Sequence, residues 1–193
     1  MSKQVIRKIL FILFWFPVIL YAQSIVNTKH NLSVTGPGDL KASSETEICL
    51  FCHTPHSSRP HSPLWNRLDP GVTYNLYKSS TMQALPGQPD GTSMLCLSCH
   101  DGTIALGNVI SRATSRTFQS GVTTMPSRFS NLTTNLRNDH PVSFDYTAAL
   151  ATADGQLIPP SGIIPPVTLD NGRMQCTSCH DPHKNMVSDF LVA

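Results

Sequence analysis

All six cysteines of this chain fall in three short strings: CLFCH (Cys49, Cys52, His53), CLSCH (Cys96, Cys99, His100) and CTSCH (Cys176, Cys179, His180). Each string has the same two-residue gap between its thiols, and each places a histidine directly after the second thiol. C-x-x-C-H is the attachment signature of c-type haem. The thiols add to the haem vinyl groups as thioethers, and the adjacent imidazole then lies under the iron as one axial ligand. Other uses of paired cysteines match less well. Zinc takes four Cys or His ligands, and three knuckles leave one unmatched. A disulfide framework gives the repeated histidine no purpose. A redox dithiol occurs once, near a βαβ pattern. The strings predict three covalent haems.

Each iron needs a sixth ligand, and five histidines remain: His30, His56, His61, His140 and His183. Eight histidines in a chain with only 13% charged residues is a large supply. His56 and His183 also repeat one offset, C-H-x-x-H. Both features predict bis-histidine iron. Methionine is the alternative axial ligand. Met94 and Met174 stand two residues before a haem cysteine, on the proximal side, whereas Met82 and Met125 lie in predicted loops. On a helical turn, residues three apart share a face. His53 and His56 then cannot clasp one iron from opposite sides, and neither can His180 and His183. The second histidine of each pair serves a different haem, or none. His140 precedes Pro141, which disfavours helix at His140 and suits an extended segment presenting a single imidazole.

The elements that must position these residues are expected to be short. Ser44 and Glu47 have the spacing of a capping box, leading into a short helix with the first motif. Leu95 to Leu106 reads as a helix across the second motif, ended by Gly107-Asn108. Pro60 to Asp90 reads as loop, and Ser111 to Asn138 as polar chain with weak strands. LIPPSGIIPP reads as extended. In VTLDNGRMQC, Asn171-Gly172 is a two-residue hairpin turn that delivers Cys176. The expected fold class is mostly irregular, with short α-helices and few short strands. Fifteen prolines and eleven glycines interrupt the chain, and aromatic residues make up only 7% of it. The expected core is therefore haem rather than side chains, with thioether and axial bonds as staples.

Residues 1–22 read as a secretory signal peptide, with basic Lys3, Arg7 and Lys8, an apolar run from Ile9 to Leu20, and Ala22 at the cleavage site. The run is shorter than the roughly 20 apolar residues of a membrane span and contains Pro17. The expected mature domain is 23–193, without a membrane span, in the periplasm or outside the cell. Loss of the three basic residues takes Lys+Arg from 14 to 11 against 12 Asp+Glu, near neutrality before any haem propionates are added. No basic stripe points to nucleic acid.

HNLSVTGPG, CLFCHTPH, PLWN, DGTSMLCLSCHDGTIALGN, NDHPVSFDY and MQCTSCHDPH together cover most of residues 30–183. In these strings and their order the chain resembles the multihaem cytochromes c with doubled C-x-x-C-H motifs, similar to cytochromes of metal-reducing bacteria. The resemblance implies bis-histidine haem and electron transfer. It implies His30, His56, His140 and His183 as the ligand histidines, and leaves His61 as a surface residue. It also implies a fourth C-x-x-C-H motif after CTSCHDPH, where this sequence reads KNMVSDFLVA. Four such histidines for three irons leave at least one free, with His56 or His183 expected.

The function expected is electron transfer through three low-potential c-type haems, to redox partner proteins or an extracellular acceptor. Two alternatives remain. One is a reductase of a small oxyanion with one open iron. The other is a subunit of a homo-oligomeric filament in which a histidine ligates a neighbouring chain's haem.

Overall fold

The computed structural model describes residues 24–58, 64–185 and 187–192. The signal-peptide reading of residues 1–22 and the surface assignment of His61 lie outside them. The described chain is mostly irregular, as its composition predicts. It contains three short α-helices, α1 (Gly91–His100), α2 (Ala148–Asp154) and α3 (Cys176–Cys179), and a single two-stranded antiparallel sheet. Strands β1 (Phe144–Asp145) and β2 (Arg173–Met174) pair with Phe144 opposite Met174. Among the described residues no helix is long and apolar enough to cross a membrane.

The second motif lies in α1, but four residues earlier than the expected Leu95–Leu106 span. The helix stops at His100 because Gly102 turns the chain with φ 73°, the left-handed conformation that ends helices. Asp101 then accepts the amide and hydroxyl of Thr103, each at 2.8 Å. Gly107 is not a helix terminator. It is glycine because a Cβ there would sit 1.8 Å from the Arg116 carbonyl.

The first motif begins in a single 3-10 turn, Cys49–Phe51, with Leu50 and Phe51 buried. No capping box forms there. Ile48 precedes the turn without a side-chain cap, and the Glu47 amide donates to the Glu45 carboxylate instead. The Asn171-Gly172 turn is present, with φ 51° and 77°, and Asp170 and Arg173 exchange two backbone hydrogen bonds of 3.0 Å. It leads through β2 into α3, which carries the third motif. LIPPSGIIPP is not extended throughout: it holds a 3-10 turn at Pro160–Gly162 and a second turn at Pro165-Pro166. Helix α2 has ordinary signals that the hydrophobic pattern did not reveal: Thr147 accepts the Leu150 amide, and Gly155 closes the helix at φ 74°.

Among the described residues no single core runs through the chain. Buried apolar side chains form three small clusters: Leu40, Ala42, Phe51, Leu106 and Phe118; Tyr74, Leu97 and Leu136; and Ala84, Phe144 and Tyr146. Between them, polar side chains do the joining. Asn66 and Arg67 are fully buried. Asn66 donates to the Leu50 carbonyl and the Ser111 hydroxyl and accepts the Ser111 amide. Arg67 donates to the carbonyls of Ser98, Ala105, Leu106 and Asn108. Met82 and Met125 pack against the third and first clusters.

Candidate metal centres

The three motif histidines arrive by different routes. His100 is the last residue of α1. His53 is extended and bridged to Trp65. His180 leaves α3 in extended conformation and bridges Leu191. The helical turn assumed for C-H-x-x-H is therefore absent at both sites. Pro55 and Pro182, each following a motif histidine by two positions, favour this early exit.

Each motif histidine faces one histidine from a distant part of the chain. His53 lies opposite His183 with ring centroids 6.1 Å apart and planes 12° from parallel. His180 lies opposite His140 at 6.2 Å and 11°. His100 lies opposite His30 at 6.0 Å, with planes crossed at 89°. Two imidazoles bound to one metal at about 2 Å per bond, each ring centre about 1.1 Å further out, have centroids about 6 Å apart. The separations fit a bis-histidyl iron. His56 is exposed, and its backbone carbonyl accepts the Thr54 hydroxyl at 2.7 Å. Among the described residues its ring faces no other histidine.

The second nitrogen lies near an acceptor in five of the six paired rings. A carbonyl oxygen can only accept, so an Nδ1 bonded to one must carry the proton, which leaves the Nε2 lone pair for a metal. His100 Nδ1 donates to the Ser130 carbonyl at 2.7 Å, His180 Nδ1 to Asp189 at 2.8 Å and His30 Nδ1 to Pro182 at 3.1 Å. His140 Nδ1 is 3.5 Å from the Pro141 carbonyl, and His183 Nδ1 is 3.4 Å from the Asp181 carboxylate. His53 Nδ1 is buried without a hydrogen-bond partner among the described residues. Metal-bound histidines generally donate their other N–H to such an acceptor.

The electrostatics favour neutral ligands. Burial, and then the neighbouring His100, lower the pKa of His30 to about 4. Burial also lowers His53 and His100. Burial pushes the Cys52 thiol up to about 12 and raises Cys99 and Cys179. A zinc site needs thiolates, whereas a thioether carries no charge. Cys176 departs from this pattern. The Cys96 thiol lies against it and lowers it, with help from the Ser93 hydroxyl, while Cys96 itself is raised. Among the described residues no three His, Cys, Asp or Glu side chains converge on one ion site.

The centres are close together. Cys96 and Cys176, from the second and third motifs, touch. Cys52 and Cys99, from the first and second, pack on the same apolar cluster. The segment His180–His183 touches all three centres: His180 belongs to the third, the Pro182 carbonyl holds His30 of the second, and His183 belongs to the first.

Sequence reasoning missed the residues that set this spacing. Gln175, buried beside Cys176, accepts hydrogen bonds from the Ser93 and Ser143 hydroxyls and donates to Asp90 at 2.7 Å. The Cys176 amide donates to Ser93, and the Thr92 and Thr177 hydroxyls bond at 2.7 Å. This network locks α1 to α3, and hence the second motif to the third. Its signal was present in the strings DGTSML, HPVS and MQC, but polar residues beside a motif reveal no partner until the fold brings them together. Compared with known proteins, the chain matches no family model and no curated protein.

Proposed function

We propose that the chain binds three c-type haems, each held by two histidines, and passes electrons among them. The ligand pairs are His53 with His183, His100 with His30, and His180 with His140. The observation that carries this reading is that every C-x-x-C-H histidine has one facing imidazole at the separation two ligands of one metal require.

The bound haem would supply a one-electron couple at its iron. Six cysteines would hold the porphyrins covalently. Six imidazoles would hold the three irons and leave no iron open to substrate, which supports electron transfer over the oxyanion reductase. Where Nδ1 has an acceptor, that partner would orient the ring and make it a better donor. Contact between the motifs keeps the centres near enough for direct transfer. The chain needs no core of its own size if porphyrin faces fill the space between its three small clusters.

Mass spectrometry of the purified protein tests the reading, with three covalent haems expected. Replacing Cys176 and Cys179 with Ala should leave two. The optical and electron paramagnetic resonance spectra should be low-spin throughout. Zinc, disulfides or a high-spin ferric signal in the wild-type protein would refute it.

A further inference from the structure

We infer that the centre formed by His100 and His30 is electronically distinct and has the highest reduction potential of the three. The inference rests on the bis-histidine haem reading above. Its first support is the crossing of the two ring planes at 89°, against 12° and 11° at the other pairs. An imidazole donates π density to the iron d orbital perpendicular to its own plane. Parallel rings act on the same orbital, raise it and stabilise the ferric hole there. Crossed rings act on different orbitals, which stay nearly degenerate, and the ferric state loses that stabilisation. Crossed geometry therefore favours the ferrous form and gives a strongly anisotropic ferric spin signal, whereas parallel geometry gives a rhombic one.

Two further observations point the same way. His30 and His100 are both half-buried, whereas His140 and His183, the non-motif partners at the other two centres, are exposed. Burial raises the potential by disfavouring the extra positive charge of ferric iron. Arg67 is fully buried and gives its four hydrogen bonds to neutral carbonyls, including Ser98 beside Cys99. Its charge acts on Cys99 and, from the first motif, on Cys52. Asp101, next to His100, opposes it. That carboxylate is already engaged by the Tyr74 hydroxyl at 2.6 Å and by the amide and hydroxyl of Thr103, which spreads its charge. The first centre shares Arg67 but has parallel rings and an exposed ligand, so the second remains highest. A single electron added to the molecule would reside at the centre carried by α1, whose motif touches both others.

The test is a redox titration of the holoprotein followed by electron paramagnetic resonance, after mass spectrometry has counted the haems. The expected result is one strongly anisotropic, large-g ferric signal and two rhombic ones, with the large-g signal disappearing first on reduction. Three rhombic signals would overturn the inference, as would a large-g signal lost last or together with the others. Missing covalent haem would instead overturn the functional reading beneath it. Arg67→Met should shift the large-g midpoint downward, and Arg67→Lys, which keeps the charge, should largely restore it. No shift in Arg67→Met, or equal shifts in both variants, would remove Arg67 from the inference.

Discussion

At the residue scale, the two C-H-x-x-H strings look equivalent and are not. His183 faces His53 across 6.1 Å, while the ring of His56 faces no histidine among the described residues. His183→Ala should therefore open one iron in three, seen as a high-spin signal and carbon monoxide binding by the reduced protein. His56→Ala should leave the spectra unchanged. Loss of a low-spin haem in His56→Ala would require a different pairing. On the proposed pairing, His56 is the histidine left without a facing imidazole among the described residues. Neither segment is helical at its histidine pair, so the shared helical face expected for His180 and His183 is absent.

At the element scale, α1 depends on polar contacts at both ends. At its start, Gln175→Leu would leave the buried Ser93 and Ser143 hydroxyls without their shared acceptor. Buried groups left unpaired cost about 1–3 kcal/mol each, so a loss of about 3 kcal/mol in denaturant unfolding of the holoprotein is expected. At its end, the Tyr74 hydroxyl donates to Asp101 at 2.6 Å. Burial, and then that bond, raise the Tyr74 pKa above its ordinary value of about 10. The folded state therefore keeps the proton after the unfolded chain has lost it. This contribution is complete below about pH 10 and declines as pH rises above it. Tyr74→Phe should cost about 2 kcal/mol near neutrality. The gap to wild type should narrow above about pH 10 when unfolding midpoints are compared across pH. A gap independent of pH would show that the bond contributes nothing to the titration.

At the scale of the whole molecule, three small apolar clusters and a buried polar network cannot hold more than 160 described residues by side-chain packing alone. Chains with so little core need staples. The chain expressed without haem attachment should therefore be expanded and lack fixed tertiary structure, as measured by near-ultraviolet circular dichroism and small-angle scattering. A compact apoprotein would mean that the polar joints around Asn66, Arg67 and Gln175 suffice. Exposed apolar side chains such as Leu85 at 89% and Phe129 at 91% fit a chain whose apolar surface has more to cover than its own core.

The grouping of six cysteines with three histidines was legible in the sequence because it is local. Five consecutive residues hold both thiols and the imidazole in register, whatever the rest of the chain does. The Asn171-Gly172 turn was legible for the same reason, since its positive φ values are a property of two residues. The ligand pairs were not. His53 and His183, or His30 and His100, meet only because loops far apart in sequence close on one another, and spacing carries no record of which loops do so. The start of α1 was displaced because Asp90 enters the helix through contacts with Ser143 and Gln175, partners that no local pattern names. The sequence by itself determined the three C-x-x-C-H strings and the plentiful supply of histidine. Only the tertiary structure decided which imidazole faces which, at what angle, and which one is left over, because those are outcomes of long-range packing.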